Sequence, residues 1–190
     1  AFCYCSCLTS VTIPNSVTSI GAGVFYYSAL SEINITDLSA WCKIDFLGNP
    51  HPLGAYRLKL NNTEIINLVI PDDITEIKQY AFYNCKSIKS VEIGNSVKSI
   101  CESAFSGCSG FNGNITISNG VKSIGNWAFH NCSNLTGSLT IPSSVTSIGD
   151  TAFMFCRGLT SVTIPSSVTT LKMSVFAHCT GLTSVTLAEG

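Results

Sequence analysis

A unit of about 23 residues recurs along this sequence and constrains its fold more than any other feature. The motif Leu-Thr-Ser-Val-Thr-Ile-Pro occurs at Leu8–Pro14 and again at Leu159–Pro165, and Leu182–Leu187 repeats most of it. A second motif places a cysteine three residues after an Ala-Phe pair. Its Phe residues are spaced by 23, 24 and 24 positions at Phe82, Phe105, Phe129 and Phe153. Internal repetition with this period is typical of stacked-repeat architectures.

Each unit contains two short strand patterns. In Leu-x-x-Val-x-Ile the Val and Ile face one side and the Thr residues face the other, and the following Pro ends the strand. The second pattern, Val-x-x-Ile, ends at Gly, which permits another turn. One unit cannot bury its own apolar side, but stacked units form a continuous core. The sequence therefore predicts a mainly β solenoid of seven to eight coils, with adjacent strands ~4.8 Å apart.

The consensus L-x-x-V-x-I-P-x-S-V-x-S-I-G-x-x-A-F-x-x-C resembles the BspA-like leucine-rich repeats, also called the Treponema pallidum type. The resemblance extends over essentially the whole chain. It implies a right-handed leucine-rich-repeat solenoid with a parallel sheet on its concave side. It also implies a secreted or cell-surface protein of a host-associated microbe that takes part in adhesion.

The composition excludes some classes of partner. Charged residues make up 11% of the chain, against a typical ~25%, and the net charge is −1. No basic excess is present to neutralise phosphates, which argues against nucleic acid as a partner. No apolar stretch reaches ~18 residues, so we expect no membrane insertion by this segment. The 26 Ser and 18 Thr residues must provide most of the polar surface.

The repeat fails over residues 36–64. Here Ala40-Trp41 could replace Ala-Phe, and a stretch rich in Gly and Pro that includes His51 predicts a loop. The alternation at Tyr56–Leu60, the Asn61-Asn62 pair and the strand pattern at Ile65–Ile70 predict an inserted β-hairpin. Two interpretations remain open: a ligand-binding interruption, or a decorated coil without a partner. We treat residues 1–190 as a single array that is a piece of a longer one, with any anchor or secretion signal elsewhere.

Ten cysteines raise the question of disulfides or a metal site. One cysteine per coil at a fixed slot predicts a ladder of core thiols, in which free Cys acts as a small apolar residue. Disulfide or metal alternatives stay open, although stacked side chains point in parallel rather than toward each other. The ladder consists of Cys5, Cys85, Cys108, Cys132, Cys156 and Cys179, with Ser28 in the same slot, while Cys3, Cys7, Cys42 and Cys101 lie outside it.

No catalytic motif is recognisable, and the sequence predicts no enzyme, cofactor or metal site. The three histidines, His51, His130 and His178, belong to no cluster in the sequence. Two strand carboxylates, Glu32 and Glu92, could in principle form a glycosidase pair. Solvated strand charges are the plainer interpretation.

The outward positions of most front strands are Thr or Ser, and such uniform rows indicate structure rather than recognition. Three coils differ, and among them Ile66 and Val69 are apolar where neighbouring coils carry Thr. An apolar spot rimmed by charge is typical of a binding site. The alternative is that the hairpin covers both side chains. The predicted contact residues are Glu32, Asn34, Trp41, Tyr56, Arg57, Ile66, Asn67, Val69, Lys89 and Glu92.

These observations predict a non-enzymatic adhesion module that recognises a protein or a glycan on a host or neighbouring cell. The alternative is a structural spacer that projects another domain and has no ligand of its own.

Overall fold

The computed structural model describes residues 1–48 and 56–189, and the chain forms a mainly β, parallel-sheet solenoid of about seven turns. Each regular coil contributes to three sides, which we call the front, rear and turn faces. The front and rear faces consist of strands, and the turn face holds the Ala-Phe motifs. The predicted loop with His51 lies outside the described residues.

The front face is built from the Leu-x-x-Val-x-Ile strands, which pair in parallel. In β14 the residues Val162 and Ile164 are buried, because every second side chain points into the solenoid. Its partners continue the same register, with Val162 opposite Leu139 and Val185. The strands are β1 (Ser10–Ile13), β3 (Glu32–Ile35), β5 (Arg57–Leu60), β7 (Asn67–Val69), β9 (Ser90–Glu92), β12 (Gly137–Thr140), β14 (Leu159–Ile164) and β15 (Ser184–Leu187).

The rear face carries shorter strands that form two separate ladders. Each strand inserts one apolar side chain, such as Ile77 or Ile100, into the core. The first ladder pairs β2 with β4, and the second runs in the order β13-β11-β10-β8. The strands are β2 (Ser19–Gly21), β4 (Asp45–Leu47), β8 (Glu76–Ile77), β10 (Ser99–Ile100), β11 (Ser123–Ile124) and β13 (Ser147–Ile148).

The turn face has a hydrogen-bonded ladder of its own, in which amides of one coil donate to carbonyls of the next. Phe82 N donates to Ala104 O at 2.8 Å, and Asn84 N donates to Ser106 O at 2.7 Å. The residues two before and two after each Phe adopt left-handed backbone conformations; Asn84, for example, has φ 57°. This alternation turns every second amide toward the same neighbouring coil, while the amides in between bond within their own coil. Left-handed non-glycine residues are uncommon, so their recurrence is a structural signature of the unit.

Phe rings and thiols form the column behind this ladder. The rings of Phe82, Phe105, Phe129, Phe153 and Phe176 stack with centroid separations of 5.2–5.4 Å. Thiols stack beside them, and four of these thiols donate hydrogen bonds to Phe carbonyls of the preceding coil. The bonds join Cys108 to Phe82, Cys132 to Phe105, Cys156 to Phe129 and Cys179 to Phe153, at 3.0–3.2 Å.

The cysteines differ in two respects from the predicted ladder of space-filling core thiols. All ten cysteines are free, and five of the six ladder members are buried, whereas Cys5 in the first coil is exposed. The buried thiols also do more than fill space, because four of them donate hydrogen bonds between coils. Outside the ladder, Cys3 and Cys7 are exposed and Cys42 is buried.

The irregular segment differs in part from the predicted hairpin. Asn61 and Asn62 form the tight turn, with φ 49° and 68°, but the returning arm is only β6 (Thr63–Glu64), antiparallel to β5. Asn67–Val69 is instead a regular front strand, parallel to β9, because burial of Leu68 in the core fixes it there. The Ala40-Trp41 pair does not form an Ala-Phe turn, since it lies in the short helix α1 (Leu38–Cys42), capped by Asp37.

We predict that Gly107→Ala lowers the free energy of unfolding by about 1 to 2 kcal/mol. Gly107 has φ +75°, and an added Cβ would lie 2.0 Å from Asn84 Oδ1. Gly113→Ala is the matched control, since an added Cβ there meets nothing within 4 Å. Chemical denaturation measures both, and equal losses in the two variants would contradict the turn-face geometry.

We also predict that the protein loses stability in alkaline solution. Burial raises the pKa of Cys42 from its ordinary value of 9.0 to about 12, and that of Cys108 well above its ordinary value. The folded state therefore holds these protons more tightly, and the resulting stability is complete below pH 9 and is lost as pH rises from 9 toward 12. The slope is at most about 1.4 kcal/mol per pH unit for each thiol. Denaturant titrations at pH 7 to 10.5 test this, with Cys108→Ala giving a shallower decline.

Candidate binding surface

The front sheet divides beside the irregular coil. At its start, β5 lies directly against the coil of β9, since Tyr56 N donates to Asn84 O at 3.2 Å and Lys86 N donates to Tyr56 O at 2.9 Å. At Leu58, two residues further along, the backbone of β5 separates from that of the β9 coil. The amide of Leu58 there donates to the side chain of Ser87, to Oγ at 3.1 Å, instead of to a backbone carbonyl. The segment β6–β7 then enters between them.

Ile66 lies where this segment enters. Its carbonyl accepts a hydrogen bond from Lys89 N at 2.7 Å, so the β9 ladder passes from β5 to β7 at this residue. We call the region of Leu58, Ile66, Ser87 and Lys89, with the adjoining strand β7 as far as Val69, the fork. Among the described residues, the two front strands β5 and β7 both lie between the rear strands β4 and β8 in the chain, so this part of the array has one more front strand than rear strand.

Both apolar residues singled out in the sequence are exposed at the fork. Ile66 is 41% exposed and Val69 is 55% exposed. The alternative in which the hairpin covers them does not hold, because β6 pairs beside β5 within the sheet. In the register of the front face, Val69 lies opposite Glu92. Its counterparts in the C-terminal coils are Thr140, Thr163 and Thr186.

An apolar groove of about 530 Å³ lies against Ile66. Leu38, Leu60 and Ile65 also line it, together with the polar residues Asn61, Thr63, Glu64 and Asn67. Sequence reasoning missed Leu38 and Leu60. The local sequence pattern around each of these leucines predicts that its side chain faces the core. Only the position of helix α1 beside the hairpin shows that the two line the same groove.

Three charged side chains beside the fork, Glu32, Arg57 and Lys59, are paired with one another. Glu32 accepts from Arg57 at 2.6 Å and from Lys59 at 2.9 Å. The hydrogen bond from Lys59 is the main reason that the pKa of Glu32 is lowered. An ionised, paired carboxylate is unsuited to act as a general acid, and β5 and β7 lie between Glu32 and Glu92. The geometry gives no support to a glycosidase pair.

Two asparagines at the site position backbone and side chains. Asn34 Oδ1 accepts from the backbone amide of Asn62 at 2.7 Å and so fixes the hairpin turn. Asn67 Oδ1 accepts from the Ser90 hydroxyl at 2.8 Å across the strand pair. Lys89 and Glu92 are both exposed on β9 and its approach.

Two predicted contact residues, Trp41 and Tyr56, are wrong, because both are core residues. Trp41 is 2% exposed, and its Nε1 donates to Ala81 O at 3.0 Å. In regular coils that carbonyl position accepts the amide of a preceding Phe, so the indole replaces a backbone donor. Tyr56 is fully buried in register with Cys85, in the slot of the thiol ladder, and burial raises its pKa. Aromatic residues in an irregular segment are often surface groups, but these two fill the core.

The described residues contain no group of three or more His, Cys, Asp or Glu side chains placed to hold a metal ion. Among the same residues, no helix is long and apolar enough to cross a bilayer.

Comparison with protein families identifies the repeat. The profile described as BspA type leucine rich repeat region matches in six copies, over residues 1–44 and 59–183. The chain belongs to the BspA-type leucine-rich repeat family. The unmatched stretch between the two ranges includes β4 and the start of β5, where this BspA-type array departs from its regular coil. A comparison with curated proteins gives no match.

Solved structures share the fold of this BspA-type array. The Treponema pallidum leucine-rich repeat protein TpLRR aligns with a TM-score of 0.56 and 21% identity, over 93% of this chain and 68% of its own. The pneumococcal vaccine antigen PcpA aligns with a TM-score of 0.65 and 15% identity, over 95% of this chain and 56% of its own. A leucine-rich repeat protein of Eubacterium ventriosum aligns with a TM-score of 0.63 and 23% identity, over 95% of this chain and 55% of its own. The chain thus spans little more than half the length of the last two.

We predict that Ser87→Ala lowers the free energy of unfolding by about 1 to 3 kcal/mol, because the buried amide of Leu58 loses its acceptor. Ser90→Ala, three residues away and exposed, is the matched control and should change stability by less than about 0.5 kcal/mol. Urea denaturation compares the two. A similar small effect in both would show that the hydroxyl of Ser87 is not needed where the strands part.

Proposed function

We propose that this chain is a non-enzymatic adhesion module of a secreted or surface-displayed protein, and that it binds a partner protein on a host or neighbouring cell through the fork. The observation that carries the proposal is the exposed pair Ile66 and Val69. These apolar side chains lie on a face that presents hydroxyls in most coils. Contiguous apolar surface with a polar rim is the usual core of a protein interface.

The groove beside Ile66 strengthens this proposal. Its apolar lining offers a pocket for one large side chain of a partner, and interface energy is commonly concentrated in such anchored side chains. The ion pairs of Glu32 with Arg57 and Lys59 lie next to it. Partly exposed charges of this kind contribute specificity and association rate more than affinity.

Localisation at the cell surface is part of the same proposal. Family membership and the fold shared with PcpA, whose name describes it as a vaccine antigen, support exposure outside the cell. A net charge of −1 supports a partner other than nucleic acid.

A structural spacer is the second candidate, and the C-terminal coils favour it. Their front face is a grid of hydroxyls in register, in which Ser161 Oγ donates to Ser138 Oγ at 2.7 Å. Hydroxyls that bond to one another stabilise the sheet and leave little that distinguishes one partner from another. The spacer would show no saturable binding to any partner.

We predict that Ile66→Asp combined with Val69→Asp weakens binding by at least about tenfold, or about 1.4 kcal/mol. Binding is measured by surface plasmon resonance on a panel of immobilised extracellular-matrix proteins and by flow cytometry on epithelial cells. Introduced charges would prevent desolvation of the apolar spot. Both positions are exposed, so the thermal midpoint should stay within a few degrees of the wild type.

The control variant is Ser161→Asp with Thr163→Asp, which places two carboxylates on the same face away from the fork. It should bind as the wild type does. Saturable binding that survives the fork substitutions would refute this site, and the absence of saturable binding by the wild type would favour the spacer.

A further inference from the structure

Two tyrosines occupy the same slot of the first two coils on the turn face. Tyr4 and Tyr27 each lie two residues after the Phe of their coil, Phe2 and Phe25. Both have left-handed backbones, with φ 63° and 54°. A hydrogen bond from Tyr4 N to Tyr26 O at 2.9 Å holds the two coils in register. The two side chains therefore leave neighbouring coils side by side, and we call them the tyrosine pair.

The rings of the tyrosine pair are stacked and open to solvent. Their centroids lie 4.7 Å apart and their planes differ by 6°. Tyr4 is 72% exposed and Tyr27 is 55% exposed. Among the residues that the structure describes, no hydrogen bond engages either phenol oxygen. Both phenols are therefore accessible to a reagent in solution while they remain in contact with each other.

The fold sets the distance between the rings, but it does not require two phenols. Further along the turn face, Phe155 and His178 occupy the same slot of adjacent coils, and their rings stack at 4.6 Å. In other coils the slot holds Asn84 and Asn131, with the same left-handed backbone. Coil spacing thus accounts for the closeness of the rings, and structural need does not account for the two hydroxyls.

Closely paired phenols share one characteristic reaction, which is oxidative coupling. A haem peroxidase that hydrogen peroxide has oxidised removes one electron and one proton from each phenol. The two phenoxyl radicals form a carbon–carbon bond between the Cε atoms beside each hydroxyl-bearing carbon, and the hydrogen on each Cε then moves to its own phenol oxygen. The product is dityrosine. The two hydrogen atoms removed convert one molecule of peroxide into two molecules of water.

The geometry favours coupling within the tyrosine pair. Coupling needs two radicals to meet before other reactions consume them, and groups held close together react as if at very high concentration. From a stacked pair at 4.7 Å, only side-chain rotation is needed to bring the Cε atoms together, and exposed side chains rotate within nanoseconds. Tyr26 lies further from Tyr27, at 6.4 Å and nearly perpendicular to it.

We propose that Tyr4 and Tyr27 form an oxidative cross-linking site, at which a haem peroxidase and hydrogen peroxide join the first two coils through dityrosine. In a repeat array each coil is held mainly by its neighbours, so a covalent bond between two coils restrains their separation directly. The amides of Phe2 and Tyr4 donate to Val24 O and Tyr26 O, both at 2.9 Å, and these bonds should open less often after coupling. The site does not depend on binding at the fork.

The test treats the purified chain with a soluble haem peroxidase and hydrogen peroxide, at low protein concentration so that coupling between copies is slow. Cys3, Cys5 and Cys7 are exposed in the same coil and would consume peroxide. Accessible thiols are therefore first alkylated with iodoacetamide, and circular dichroism checks that the fold is kept. After the reaction, the protein is denatured, reduced, alkylated again and digested with trypsin.

Both tyrosines fall in the tryptic peptide of residues 1–43, because Lys43 is the first basic residue of the chain. This peptide should lack two hydrogen atoms, show dityrosine fluorescence and give no fragment ions from cleavage between Tyr4 and Tyr27. In the intact cross-linked protein, hydrogen exchange at the amides of Phe2 and Tyr4 should be slower than in the untreated protein.

Tyr4→Phe and Tyr27→Phe each keep the ring and remove the hydroxyl from which the radical forms. Both variants should fold as the wild type does, and the cross-linked peptide should be lost in both. Tyr26→Phe is the matched control, because it removes the adjacent phenol and leaves the tyrosine pair intact. It should form the cross-linked peptide to the same extent as the wild type.

Four results would overturn the proposal. The first is the absence of dityrosine from the peptide of residues 1–43, and the second is dityrosine found only between copies, as a covalent dimer. The third is a cross-linked peptide that persists in Tyr4→Phe or Tyr27→Phe. The fourth is unchanged hydrogen exchange at Phe2 and Tyr4 after coupling, which would show that the bond does not restrain the two coils.

Discussion

Burial of one coil against the next is the interaction on which this structure depends. A unit of about 23 residues supplies a single layer of core side chains, such as Phe105, Cys108 and Ile124, and each layer is covered only when neighbours stack on it. The amide ladder of the turn face fixes the distance and register of that stacking. The Phe carbonyls also accept hydrogen bonds from the thiols of the next coil. A purely apolar side chain in the cysteine slot could not make this bond, so the thiols help to fix the spacing between coils.

The irregular coil shows how strictly this constraint acts. Helix α1 replaces a left-handed turn and cannot present the usual amide, yet the Ala81 carbonyl is still paired because the indole of Trp41 reaches it. Tyr56 fills a thiol slot, and Ser87 accepts the amide of Leu58 where two strands part. Side chains thus replace backbone donors and acceptors, as the high cost of unpaired buried polar groups demands.

Most of the fold could be predicted from the repeat, because core-facing positions recur at a fixed spacing. Once these positions are assigned in one coil, the period assigns them in the other regular coils. Prediction failed where the period failed. Asn67–Val69 looks like a hairpin arm locally, and only its parallel partner Ser90–Glu92 makes it a coil strand. For the site, the outward positions of Ile66 and Val69 followed from strand alternation. The burial of Trp41 and Tyr56 could not follow from it, since their partners are distant in sequence.

Stacking uses the inward side chains and the backbone, so outward positions can vary with little effect on the fold. In the C-terminal coils they hold self-paired hydroxyls, as between Ser161 and Ser138. In the N-terminal half they diverge on two faces, with apolar residues at the fork and tyrosines on the turn face. The extra strand at the fork also breaks the uniform rows of the front face. A repeat array acquires a distinct surface in this way, because a local irregularity brings side chains together that a strict period would keep in identical rows.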